Sequence, residues 1–174
     1  MIIFIFFFPI LEFTSLTGYA TLMENFPRSK EYLGKKILAI DYGTKVTGLA
    51  SFQPGNDPYP LQAGRIIYRN DDQLIKEISE FVDNEMIDII ILGIPYLLDR
   101  GETDATVKIK KFGKRLENHF NNKLVFFQDE TLSTNEAKSR MKSDPRYNFK
   151  VDLKAIDMLS ACIILEDFIM DTSK

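Results

Sequence analysis

Ile37-Leu38-Ala39-Ile40-Asp41-Tyr42-Gly43-Thr44 decides how the rest of the chain is read. Four apolar residues with strong strand preference run directly into one carboxylate. A Gly-Thr turn follows, and a second apolar run, Val46 to Phe52, starts two residues later. This is the pattern of a hairpin with an acid at the end of its first strand. An aspartate that closes a buried run is costly to ionise unless something positive compensates it. Two readings of Asp41 stand side by side at this point. It is a turn cap bonded to its own backbone, or it is a ligand for a divalent cation or a group facing phosphate.

Outward from the octet, residues 53–60 hold three prolines and Gly55 and read as a loop. Residues 62–69 alternate and predict a third strand, which completes an antiparallel meander. Asn70-Asp71-Asp72 offers caps for a helix over 73–86, where Leu74, Ile75, Ile78, Phe81 and Val82 recur at helical spacing. The continuous apolar run 87–94 fits a strand covered on both faces, and 93–101 is the loop beyond it. Thr103 can cap a helix over 104–120 with Val107, Ile109, Phe112 and Leu116 as its apolar side. Residues 123–129 predict a fifth strand. Ser133-Thr134-Asn135-Glu136 reads as a capping box for a helix reaching Ser143. A loop over 144–150 and a long helix over 151–170 end the chain.

The resulting order, β-β-β-α-β-α-β-α-α, predicts an α/β fold with a five-stranded mixed sheet flanked by helices. Right-handed crossovers set the last two strands parallel to the first. Sites in open α/β sheets gather beyond the carboxyl ends of such strands. That rule selects Asp41, the 93–101 loop and Asp129-Glu130.

A chain of 174 residues is one domain's worth, long enough for a single sizeable core. The only cysteine, Cys162, excludes an internal disulfide and a cysteine-based zinc cluster. It fits a reducing compartment, and the expected location is cytoplasmic. The only histidine, His119, argues against a Ser-His pair or a His-rich metal site. Residues 1–34 read as an extension outside the fold, leaving 35–174 as the domain. Met1 to Leu11 is almost wholly apolar, but it is too short to span a bilayer and lacks the basic region of a signal peptide. Met23, which opens a polar stretch leading into the first strand, is the expected true start. No membrane association is expected, and monomer and homodimer both remain open.

Asp129 and Glu130 adjoin at a strand end, so their side chains diverge and only one can face a shared site. The last helix contributes Asp157 among small and apolar neighbours. It either faces that site or is a buried acid answering a lysine such as Lys154 or Lys45. Three carboxylates converging on one point repel each other, by roughly 4 kcal/mol per pair at about 4 Å and an effective dielectric near 20. Protons or a cation must relieve that repulsion. Oxygen-only ligands favour Mg2+ or Mn2+ over zinc, and a pair of such ions suits phosphodiester hydrolysis.

Several motifs together carry a resemblance. They are Ile40-Asp41-Tyr42-Gly43-Thr44-Lys45, Gly93-Ile94-Pro95, Phe112 with Arg115-Leu116, and Asp129-Glu130 with Leu132-Ser133-Thr134 and Glu136-Ala137. Asp157 before Ser160-Ala161, with Ile164-Leu165-Glu166, completes the set. In order and spacing these resemble the YqgF/RuvX family over about residues 36–168. Its members carry the names Holliday junction resolvase and pre-16S rRNA nuclease. The resemblance implies an RNase H-like fold and an acidic metal site at Asp41, Glu130 and Asp157. Two departures stand out. The family reads Asp-Glu-Arg at the fifth strand's end, where this chain has Thr131. Its Gly-x-Pro loop continues Leu-Asn-x-Asp-Gly, where this chain reads Tyr96-Leu97-Leu98-Asp99-Arg100-Gly101. Arg100 is expected to replace part of the lost positive charge.

A net charge of −3 argues against a general polyanion binder. Between Ala105 and Lys154, however, twelve basic residues face six acidic ones. Lys-rich helix faces are usually just solvated. Yet the stretch includes Arg140 and Lys154 as substrate-binding candidates, and Tyr147 and Phe149 for stacking on unpaired bases. The leading expectation is a metal-dependent endonuclease acting on structured RNA, most naturally precursor ribosomal RNA, with branched DNA as the alternative. Asp41, Glu130 and Asp157 hold the ions, and Thr44 and Lys45 contact the scissile phosphate. An ATP-binding sugar-kinase or actin-like protein competes, because Asp-x-Gly-Thr also marks its phosphate loop. A non-catalytic nucleic-acid-binding relative is the third class.

Overall fold

Alternation along the first strand sets the layers. In β1 (Ile37–Asp41), Leu38 and Ile40 enter one core and Ile37 and Ala39 the opposite one, all four fully buried. The computed structural model describes residues 27–97, 101–131 and 133–171. Around β1 the sheet adds β2 (Val46–Phe52), β3 (Leu61–Ile67), β4 (Ile89–Ile94) and β5 (Leu124–Asp129), in the order β3-β2-β1-β4-β5. The β1-β2 and β2-β3 pairs are antiparallel, whereas β4 and β5 run parallel to β1. The expected meander and both parallel strands are therefore present.

One face carries α1 (Asp71–Asn84) and α2 (Asp104–His119), packed through Leu74, Ile78, Val82, Phe112 and Leu116. The other face carries α4 (Ile156–Met170) through Ala161, Ile164, Leu165 and Phe168. The last helix-to-helix layer is α3 (Ser133–Ser143), with Ala137 and Met141 against Ile156 and Ile163. Each fully buried Leu, Ile or Phe in these layers is worth about 1.5–3 kcal/mol. Thr103 caps α2 as expected, exchanging bonds with Thr106. Thr106 also donates to the Pro95 carbonyl at 2.5 Å, which ties α2 to the loop after β4.

Three expectations are corrected. The last helix begins at Ile156 rather than Val151, because the Asp152 carboxylate accepts the Lys154 N–H at 2.8 Å and holds that stretch in a turn. Ser133 is the first residue of α3 rather than its cap, and Glu136 bonds to Arg140 instead of reaching back. The folded unit also starts before residue 35. A short 3-10 helix, Pro27–Tyr32, buries Tyr32 against Phe168, with ring centroids 5.5 Å apart. Arg28 there donates to the Phe168 carbonyl at 3.0 Å. Met1 to Leu11 and Met23 lie outside the described residues. No helix among the described residues is long and apolar enough to cross a membrane.

Candidate active site

Strand register brings the acids to one place. Side chains directly opposite each other in a ladder share a face. Asp41 follows Ile37 and Ala39 onto the α4 face, and β2 places Gly48 directly opposite it. On the parallel side, Ile89, Ile91 and Gly93 of β4 lie beside Leu124, Phe126 and Gln128 of β5. Phe126 packs against the core on the α4 face. Two residues past Gln128, Glu130 returns to that same face, and Asp129 points the other way.

Two glycines make the approach possible. A methyl group built on Gly48 would run into the backbone carbonyl of Asp157, so α4 can bring its first turn down onto β2 only because position 48 has no side chain. A methyl group on Gly93 would run into the Glu130 carboxylate and the Ile164 side chain. Glu130 is also pinned through its backbone. Its N–H bonds the Ile94 carbonyl at 3.1 Å and its carbonyl accepts from Ser133 at 3.0 Å.

The electrostatics follow from this crowding. Burial, then the charge of Asp157, raises the Asp41 carboxyl well above the usual carboxylate range. Burial, then the charge of Asp41, raises Glu130 likewise. The two groups lie close enough to share a proton in a hydrogen bond. Asp157 is raised by burial too, with Arg65 of β3 opposing that shift. Among the described residues, the cation that acts on Asp157 is Arg65.

A hard divalent ion fits these groups. All the donors are carboxylate oxygens, and Glu130 Oε2 is buried with no hydrogen-bond partner among the described residues. The acids are gathered but not closed into a coordination set: among the described residues, no three Asp, Glu, His or Cys side chains already meet around one point.

The remaining predicted residues divide. Thr44 and Lys45 are exposed on the turn just beyond Asp41. That turn is anchored on its far side by Tyr42, whose hydroxyl donates to Asp71 at 3.0 Å and whose ring meets Phe112 at 4.7 Å. Lys154 is exposed three residues before Asp157, and its carbonyl accepts a bond from Arg65. Arg140 is not brought to the acids. It is held between Glu136 at 2.5 Å and Glu166 at 2.7 Å. Glu166 lies nine residues along α4 from Asp157, roughly 13 Å at helical rise. Arg100 lies outside the described residues. Thr131 takes a local role, donating its hydroxyl to Asp129 and accepting the Tyr96 N–H at 3.3 Å. Tyr147 is occupied by packing and by a 2.8 Å bond from Gln62, whereas Phe149 is 62% exposed.

Residues 35–171 match the family model described as RuvX, Holliday junction resolvase. The chain belongs to the RuvX family. RuvX relatives in Aeromonas salmonicida and Alcanivorax borkumensis each carry the name "Putative pre-16S rRNA nuclease". The first is 35% identical over 138 residues, 76% of this chain and 92% of the relative. The second is 32% identical over 145 residues, 79% and 98% of the two chains. The backbone of this RuvX chain also resembles T. thermophilus RuvC in complex with a Holliday junction substrate. The TM-score is 0.53 at 10% identity, over 80% of this chain and 98% of that one. The yeast mitochondrial Holliday junction resolvase matches at TM-score 0.52 and 9% identity, covering 90% and 92%. These likenesses establish the RNase H-like fold, and the sugar-kinase alternative falls with RuvX membership.

Sequence reasoning passed over Gly48 and Arg65, and took Gly93 only as the start of a loop motif. A glycine inside the apolar run Val46-Thr47-Gly48-Leu49 is a signal of close backbone approach, and the same holds for Gly93. Arg65 carries no local signal; only strand pairing brings it near the acids.

Proposed function

We propose that this protein is a divalent-metal-dependent endonuclease that hydrolyses phosphodiester bonds in structured nucleic acid, processing the 5′ end of precursor 16S rRNA in the cytoplasm. The observation that carries the reading is the crowded pair Asp41–Glu130, with Asp157 facing it, at the carboxyl ends of β1 and β5. Such like-charged burial is retained at a working site, because a purely structural core would favour apolar groups there. The names carried by relatives of similar length support the ribosomal RNA substrate.

Asp41, Glu130 and Asp157 would hold Mg2+ or Mn2+. The ion supplies Lewis acidity at the phosphate and at the attacking water. The chain's own residues do the rest. Asp41 and Glu130, whose crowded burial favours the protonated form, would face a bound cation as carboxylates once their protons had passed to solvent, the cation offsetting their mutual repulsion. Gly48 and Gly93 hold Asp157 and Glu130 at their working separation. Thr44 and Lys45, exposed at the rim, face the phosphate backbone, with Lys154 behind them.

Branched DNA is the second reading, and the family's own description favours it. A cleavage assay on a precursor 16S rRNA fragment and on a four-way DNA junction, with Mg2+, Mn2+ or chelator, separates the two. Metal-dependent cuts confined to the RNA support the first, and cuts at the junction alone support the second. Binding without cleavage under either ion would leave a non-catalytic nucleic-acid binder.

A further inference from the structure

Among the described residues, one guanidinium lies beside the acids of the site, on an element that no motif marks. The ladders run Asp41 opposite Gly48 and Gly48 opposite Arg65, so the two side chains share the α4 face. They are two strands apart, about 10 Å between Cα atoms. Gly48 between them has no side chain, and the space above it is taken by the first turn of α4. Arg65 Nη1 donates to the Lys154 carbonyl at 3.4 Å, which lays the side chain along the chain entering α4, toward Asp157. Arg65 is otherwise exposed. That bond is long and leaves most of its donors open to solvent.

Several other cations around the sheet are committed elsewhere. Arg140 spans Glu136 and Glu166, Arg146 pairs with Asp144, and Arg115 pairs with Asp71 and Asp72. Lys108 lies over the Tyr42 and Tyr68 rings, beneath the opposite face.

We propose that Arg65 is a substrate-binding residue that grips a phosphate of the nucleic-acid backbone beside the acids, entering from the β3 edge. A guanidinium suits this because its planar fork bonds two phosphate oxygens at once, which an ammonium cannot do. Its exposure lets it leave the Lys154 carbonyl when substrate arrives. Its place across Gly48 sets the phosphate on the β3 side of the acids, two strands from Asp41. The inference rests on the nuclease reading for the identity of the substrate, but its test is read in binding as well as in turnover.

The test uses the full chain and its Arg65→Ala, Arg65→Lys and Arg69→Ala variants. Arg69 lies just beyond the same strand and is likewise exposed, so it controls for a general loss of charge. Binding of a labelled precursor 16S rRNA fragment and a labelled four-way DNA junction is followed by fluorescence anisotropy across a salt series, with Ca2+ in place of Mg2+. Arg65→Ala is expected to weaken binding about tenfold and to reduce the slope of log affinity against log salt by about one. Arg65→Lys restores the slope but only part of the affinity, and Arg69→Ala changes neither. Arg65→Ala binding that equals wild type, or losses equal to those of Arg69→Ala, would overturn the proposal. A wild-type protein that binds but cleaves neither probe under Mg2+ or Mn2+ ends the nuclease reading and leaves the Arg65 result standing. A wild-type protein that binds neither probe ends both.

Discussion

The two ends of β1 and β4 treat the same kinds of group in opposite ways. At the amino ends the carboxylates Asp88 and Glu85 both have partners. Asp88 accepts the Lys36 N–H at 2.9 Å and the Lys35 ammonium at 3.2 Å, and Glu85 takes the Lys36 ammonium at 2.6 Å. The Lys36 N–H, followed by Lys35, holds the Asp88 carboxyl below its ordinary value. At the carboxyl ends burial and mutual charge push Asp41 and Glu130 upward, and Glu130 Oε2 is left without a bond. One end pairs its carboxylates with cations, whereas the other crowds its carboxyls so that they hold protons. The difference lies in partners and solvent, not in residue type, since Asp88 and Asp41 are both aspartates.

The largest test removes one of the crowded carboxyls. Asp41→Asn is expected to lower metal-dependent cleavage by more than about a thousandfold with an unchanged circular dichroism spectrum. Full activity in that variant would dissolve the contrast between the two ends. Gly93→Ala comes next. Its added methyl displaces the Glu130 carboxylate, and a misplacement of this kind lowers kcat by about a hundredfold, read in single-turnover cleavage. Gly48→Ala strikes backbone rather than a side-chain tip. It should therefore cost about 1–3 kcal/mol of stability in urea unfolding as well as activity.

The pH dependence of the metal-free protein sharpens the comparison further. Asp41 and Glu130 hold protons more tightly folded than unfolded. Their contribution is fully present below the unfolded carboxylate range near pH 4 and is lost as pH rises through their raised values. Metal-free stability should fall over that window, Mg2+ should restore it, and Asp41→Asn should flatten the slope. Asp88 works in the other direction. Its contribution is present above pH 4 and disappears as pH falls through its lowered value. Asp88→Asn is expected to cost at most about 1 kcal/mol, since the Lys35 pair is exposed and screened, with cleavage unchanged.

Much of this was legible in the residues. The octet 37–44 and the run 46–52 gave a hairpin at the observed boundaries of β2, and Thr103 was identified as a cap from its own chemistry. Local periodicity suffices there, because the interactions concerned are local. Arg140 shows where that reasoning ends. Its position near the site in sequence suggested a phosphate contact, but α3 turns it toward carboxylates of its own helix and of α4. Residues 27–34 looked polar and separate, yet Tyr32 finds Phe168 more than a hundred residues away. No local pattern encodes that meeting.

By itself, the sequence determined the order of elements and the direction of each strand, since alternation, capping and turn chemistry act within a few residues. Tertiary structure decided that Glu130 rather than Asp129 turns inward, that glycines at 48 and 93 let Asp157 and Glu130 approach the sheet, and that Arg65 lies toward Asp157. Those outcomes depend on strand register and helix contact, which join residues far apart in the chain.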